Sequence, residues 1–123
     1  MSGDAIEMIE RHVKELLEEV PALKPLKLIV GIDLQGRGDT QQFRLKLPEI
    51  EVKRDIGADA RIRVEMRREF FNAMVEHGAK SRDWRMAFLE GRAKATGVQE
   101  YLQLIERVVD RQEERARLRK ARS

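Results

Sequence analysis

Cysteine is absent from this chain. That excludes disulfides, thiol nucleophiles and thiolate metal sites at once, and it is compatible with a reducing cytosol. Histidine is scarce, with only His12 and His77. Aromatics are few: four Phe, one Trp and one Tyr. No apolar run approaches the roughly 20 residues needed to cross a bilayer. The N-terminus lacks the basic segment and apolar stretch of a secretory signal, and Ala121-Arg122-Ser123 is not a peroxisomal address of the Ser-Lys-Leu kind. These absences predict a cytoplasmic protein.

What the chain has in quantity is charge, at 38% of its residues against 41% hydrophobic. Its 123 residues are enough for one domain with one real core. The net charge of +3 is local. Arg111, Arg115, Arg117, Arg119, Lys120 and Arg122 outweigh Asp110, Glu113 and Glu114, whereas residues 1–109 are balanced. The expected division is a globular body over 1–109 and a charged basic helical tail over 110–123.

Period 3.6 appears first. Asp4 can cap a helix in which Ile6, Ile9, Val13, Leu16, Leu17 and Val20 recur at helical spacing. Pro21 and Pro25 end it. Period 2 follows. Leu28, Val30, Ile32 and Leu34 alternate with other residues, as do Phe43, Leu45 and Leu47, then Ile50 and Val52, then Ile62, Val64 and Met66. Short turns at 36–39 and 57–59 suggest an antiparallel meander. Helical spacing returns with Phe70, Phe71, Met74 and Val75, stopping at Gly78. Ser81 is the expected N-cap of a short helix carrying Trp84, Ala87, Phe88 and Leu89, which Gly91 ends. Ala93 and Ala95 suggest a brief fifth strand closed by Gly97. A long helix from Val98 then turns Leu102, Ile105, Val108 and Val109 inward. The class is α+β: a five-stranded, mainly antiparallel sheet with an N-terminal helix, two short lid helices and a long C-terminal helix packed on one face.

No residue set supplies a nucleophile, a base and an orienting group together. Asp33, Asp39, Glu49, Glu51 and Asp55 scatter among strands and turns and read as solvated charge. His12 sits among Glu10, Arg11 and Lys14 and reads as polar surface. His77 precedes a helix-ending glycine, where a cation favours the helix dipole. No His, Asp or Glu trio stands at metal spacing. The sequence therefore predicts no enzyme, no cofactor and no metal. Arg37-Gly38-Asp39 reads as a turn. The basic tail lacks interleaved aromatics, which disfavours nucleic acid. A weak contact with an anionic membrane or a partner protein, or a homodimer, suits it better.

The stretch Val64-Glu65-Met66-Arg67-Arg68-Glu69-Phe70-Phe71, then Gly78, then Trp84 to Gly97 resembles the sterol-carrier-protein type 2 family. There a strand leads into a helix ending at Gly, and an aromatic–Met/Leu–x–Gly–Lys segment precedes the last helix. Phe88-Leu89-Glu90-Gly91-Arg92-Ala93-Lys94-Ala95-Thr96-Gly97 fills that slot, with Arg for the usual Lys. Gly31-Ile32-Asp33-Leu34 and the turn after it resemble the family's first hairpin. The likeness covers about residues 4–109, and the tail lies outside it.

The resemblance implies a non-enzymatic carrier for a fatty acid, acyl-CoA or sterol-like lipid held between sheet and helices. Phe70, Phe71, Met74, Trp84, Met86, Phe88, Leu89, Leu102 and Ile105 would line the cavity, and Arg67, Arg68 and Arg92 would meet a head group. The same apolar residues equally describe an ordinary core. The rival expectation is an interaction domain with a closed cavity, acting through dimerisation or a partner contact at its last helix.

Overall fold

The computed structural model describes residues 2–122. Helix α1 spans Ser2–Glu19, and a 3-10 turn at Pro21–Leu23 follows. Strands β1 (Leu28–Gln35), β2 (Thr40–Leu47), β3 (Glu51–Arg54) and β4 (Ile62–Arg67) come next. Then come α2 (Arg68–Glu76), α3 (Ser81–Leu89), β5 (Ala93–Gly97) and α4 (Gln99–Arg122). Asp4 was expected to cap α1, but that helix begins at Ser2 and position 4 lies inside its first turn.

Period-2 alternation sends Leu28, Val30, Ile32 and Leu34 of β1 to the helical face. Phe43 and Leu45 of β2, Val52 of β3, Ile62 and Met66 of β4 and Ala93 of β5 join them. Cross-strand pairs such as Ile32–Phe43, Val30–Leu45 and Leu34–Met66 knit this layer. Ala5 and Ile9 of α1 and Phe71 and Val75 of α2 close over it as one core. Burying a side chain of this size stabilises by roughly 1.5–3 kcal/mol before ordering costs.

The expected meander holds only for its first three strands. The sheet order is β3-β2-β1-β4-β5, and β4 lies parallel to β1. Three of the four pairings are antiparallel, so the sheet is mixed but mainly antiparallel. The chain leaves β3 at one edge and crosses the outer face of the sheet to reach the far side of β1.

Side chains on that outer face hold the crossing. Gly31 on β1 has no side chain to obstruct it, and a Cβ on Gly57 would sit 3.5 Å from the Cα of Gly31. The amide of Arg61 donates to the carbonyl of Ile29 at 2.9 Å. Arg44 grips both carboxylate oxygens of Asp59, at 3.0 and 2.8 Å. Arg63 donates to Asp33 at 2.6 Å, to the carbonyl of Gly57 at 3.1 Å and to that of Ile56. Asp33 is accordingly buried rather than solvated.

Gly97 marks the return to α4. Its φ of +134° is one that side chains rarely adopt, and a Cβ there would fall 2.2 Å from the carbonyl oxygen of Arg61. That same oxygen accepts from the amide of Val98 at 2.9 Å.

Candidate functional site

Helices α2 and α3 form a hairpin that leaves a cleft on the flank of the core. Phe71 and Val75, four apart on α2, face the core and are buried, while Phe70 and Met74, also four apart, are half-buried beside them. Gly78 ends α2 as expected, at φ +64°. The amide of Ala79 reaches back to the carbonyl of Met74 at 2.9 Å, a Schellman closure.

The start of α3 differs from the expectation. Lys80, not Ser81, is the N-cap residue, and the Asp83 carboxylate accepts from the Lys80 amide at 2.8 Å. Ser81 is inside the helix. Its amide and hydroxyl donate to the two carboxylate oxygens of Glu19, at 2.8 and 2.9 Å. Gly91 closes α3 at φ +78°, with the Arg92 amide donating to the Ala87 carbonyl at 2.9 Å.

Between the two helices lies an open cleft of about 330 Å³. Phe70, Met74, Ala79, Met86 and Ala87 supply its apolar surface, and His77, Asp83, Glu90 and Arg92 its rim. The guanidinium carbon of Arg92 stands 6.0 Å from the ring centre of Phe70, within cation–π range. Its Nε is 3.9 Å from a Glu90 carboxylate oxygen.

Behind Phe70 stands Trp84, edge-on at 6.2 Å between ring centres. The indole Nε1–H donates to Nε2 of His12 at 2.7 Å. His12 is only 3% exposed, which corrects its reading as polar surface. A signal existed: Ala5, Ile9, His12 and Leu16 follow a spacing of four, three and four, the inward stripe of α1. The bond to Trp84 requires Nε2 to be unprotonated. Burial is the main cause that lowers the pKa of His12 below its ordinary value; Glu15 opposes it, Arg11 adds to it and Glu19 opposes it.

The other expected site residues are dispersed. Phe71 is sealed in the core. Leu102 and Ile105 on α4 pack half-buried against that core. Phe88 and Leu89 turn toward solvent. Arg67 is exposed, and Arg68 is tied to Asn72 and Gln41, at the sheet rather than the cleft. Phe70, Met74, Met86 and Arg92 are the expected residues that come together, with Trp84 behind them. Ala79, Asp83 and Glu90 were not expected there.

A second open cleft of about 330 Å³ lies where the end of α1, the start of α3 and the distal half of α4 meet. Glu19, Lys80, Ser81, Arg82, Glu113, Arg117 and Lys120 are among its lining residues. Arg85 of α3 pairs with Asp110 at 2.7 Å and Glu113 at 3.0 Å on α4. Among the described residues, no three His, Asp or Glu side chains gather where a metal could bind. Among the same residues, no helix is long and apolar enough to cross a membrane.

No protein-family model and no curated protein sequence matches the chain. Solved structures do. Palmitated SCP2L2 from Aedes aegypti superposes with a TM-score of 0.56 at 15% identity, over 82% of this chain and 93% of that one. The sterol carrier protein domain 2 of Helicoverpa armigera gives 0.58 at 14%, over 89% and 85%. The ubiquinone synthesis protein UbiJ-SCP2 gives 0.57 at 16%, over 90% and 97%. This chain has the sterol-carrier-protein-2 fold.

Proposed function

We propose that the chain is a non-enzymatic carrier that holds the apolar tail of a lipid in the cleft between α2 and α3. The observation that supports this most is the composition of the cleft. Phe70, Met74, Ala79, Met86 and Ala87 present an apolar surface, and a single guanidinium, that of Arg92, stands at its rim. Flexible Met side chains adapt to variable apolar shapes, and a volume near 300 Å³ is at the small end of known ligand sites. An acyl chain suits such a slot better than a rigid ring system. Arg92 would pair with a carboxylate or phosphate head. Fatty acids and acyl-CoA are thus the first candidates, with sterol-like lipids after them. The similar structure of a palmitated relative fits the same choice.

A titration with parinaric acid, a fluorescent polyene fatty acid, tests this. Trp84 is the only tryptophan and stands directly behind Phe70. Saturable quenching near one ligand per chain, reversed by palmitate, is expected. Met74→Asp should weaken it at least tenfold, because a buried unpaired carboxylate is costly. Absence of saturable quenching across fatty acid, acyl-CoA and sterol competitors would overturn the reading.

One observation favours the rival reading, an interaction domain with a closed cavity. Phe43, Leu34, Ile9 and Phe71 fill the space between sheet and helices, and the distal part of α4 is exposed from Glu114 to Ala121. A mass that rises with concentration in light scattering, without ligand binding, would support it.

A further inference from the structure

Helix α3 carries more apolar surface to solvent than its place in the fold needs. Leu89 is 72% exposed, Met86 50% and Phe88 36%. Arg82, Met86 and Leu89 stand at i, i+4 and i+7, and so share one outer stripe about 10 Å long. Met86 belongs to two surfaces, since it also lines the cleft. An unbroken apolar path therefore runs from Leu89 over Met86 to Met74 and Phe70.

The other end of the stripe is basic. Arg82 lines the second cleft together with Lys80, Arg117 and Lys120. The two carboxylates of that cleft, Glu19, held by Ser81, and Glu113, held by Arg85, are outnumbered by its four cations. Arg82 and Arg117 find no hydrogen-bond or ion-pair partner among the described residues. Apolar tips beside a local excess of cations match the interface of a bilayer carrying anionic lipid. The apolar groups enter the acyl boundary while the cations meet phosphate heads. A protein partner would need a shaped groove over the same stripe, whereas a fluid bilayer needs none.

We propose that the outer stripe of α3 docks the protein on an anionic lipid bilayer, with Leu89 and Met86 dipping in and Arg82 on the head groups. The inference rests on the carrier reading, for which it supplies the port: a lipid tail passes from the bilayer along Leu89 and Met86 into the cleft.

Flotation of the full chain with vesicles tests it. Binding is expected to vesicles of phosphatidylcholine containing phosphatidylglycerol and not to phosphatidylcholine alone, and it should fall as salt rises. Arg82→Glu should weaken it by about thirtyfold and leave parinaric acid quenching in solution unchanged. Leu89→Glu should weaken it by about tenfold with an unchanged circular dichroism melt. Equal binding to both vesicle types overturns the inference, as does vesicle binding that survives both substitutions. A smaller mass for Leu89→Glu than for the parent chain would make the stripe a self-association face and overturn it too. Flotation as expected without any fatty-acid quenching would sink the carrier reading alone, and quenching without flotation would sink the docking alone.

Discussion

Trp84 on α3 and His12 on α1, 72 residues apart, are joined by one hydrogen bond of 2.7 Å from indole to imidazole. It leaves Nδ1 of His12 carrying the proton, buried and without a hydrogen-bond partner among the described residues. The nearest carboxylate oxygen, on Glu15, is 4.0 Å away. Protonating Nε2 would replace an acceptor by a donor that faces another donor.

This pair predicts a pH dependence. The pKa of His12 is lowered in the folded state, so just below its unfolded value the unfolded chain binds more protons and stability falls with falling pH. The loss begins near pH 6.5 and is complete once the pH has passed below the folded value. The melting temperature should therefore drop as the pH is lowered through and below about 6.5. His12→Gln keeps an acceptor for the indole and should flatten that slope. A wild-type melt independent of pH across the window would refute the account. Trp84→Phe should cost about 1–3 kcal/mol, since it leaves a buried acceptor unpaired.

Arg63 and Asp33 supply a second test. Their 2.6 Å pair ties β4 to β1, and the remaining donors of Arg63 hold the crossing chain at Ile56 and Gly57. Arg63→Met removes the cation and leaves Asp33 buried with only Gln42, at 3.3 Å. A loss of about 3 kcal/mol in urea unfolding is expected, together with faster proteolysis within 55–61. A cost under 1 kcal/mol would show that the crossing is held without Arg63, by its backbone bonds and the Arg44–Asp59 pair.

Two glycines should behave differently. Gly97→Ala places a methyl 2.2 Å from a backbone oxygen, whereas Gly38→Ala, at φ +80°, meets nothing within 4 Å. The second should cost about 1 kcal/mol from conformation alone. The first adds displacement of β4 or α4 and should cost at least about 2 kcal/mol more. Thermal melts of the two variants decide it.

Cutting the chain after Val109 tests whether 110–122 is an appendage. α4 runs unbroken through that point, and Asp110 and Glu113 beyond it hold Arg85 of α3. Such half-exposed pairs contribute about 1 kcal/mol or less to stability. The local effect should be clearer: hydrogen exchange in α3 should quicken, while β1 and β2 keep their protection. Unchanged exchange in α3 would make the tail independent of the body.

The five strands and four helices were legible because each is a local pattern. Alternation every second residue marks a one-sided strand, spacing of three and four marks a one-sided helix, and Gly78 and Gly91 end helices by backbone conformation alone. The α+β class and the sterol-carrier-protein likeness follow from the order of those elements. Neighbourhood in the sheet did not. Nothing periodic in β4 says that it pairs with β1 rather than β3. That choice lies in the outer face, where Gly31 leaves room for the crossing chain and Arg63 and Arg44 hold it. The site divided in the same way. Phe70, Met74 and Met86 are apolar at helical spacing whether they line a cleft or a core, and only the placement of α3 beside α2 leaves a cleft along them while Phe71 is sealed. Sequence spacing fixes which side of a helix a residue is on. The packing of the whole chain decides whether that side meets core, cleft or solvent, because burial depends on neighbours contributed by other elements.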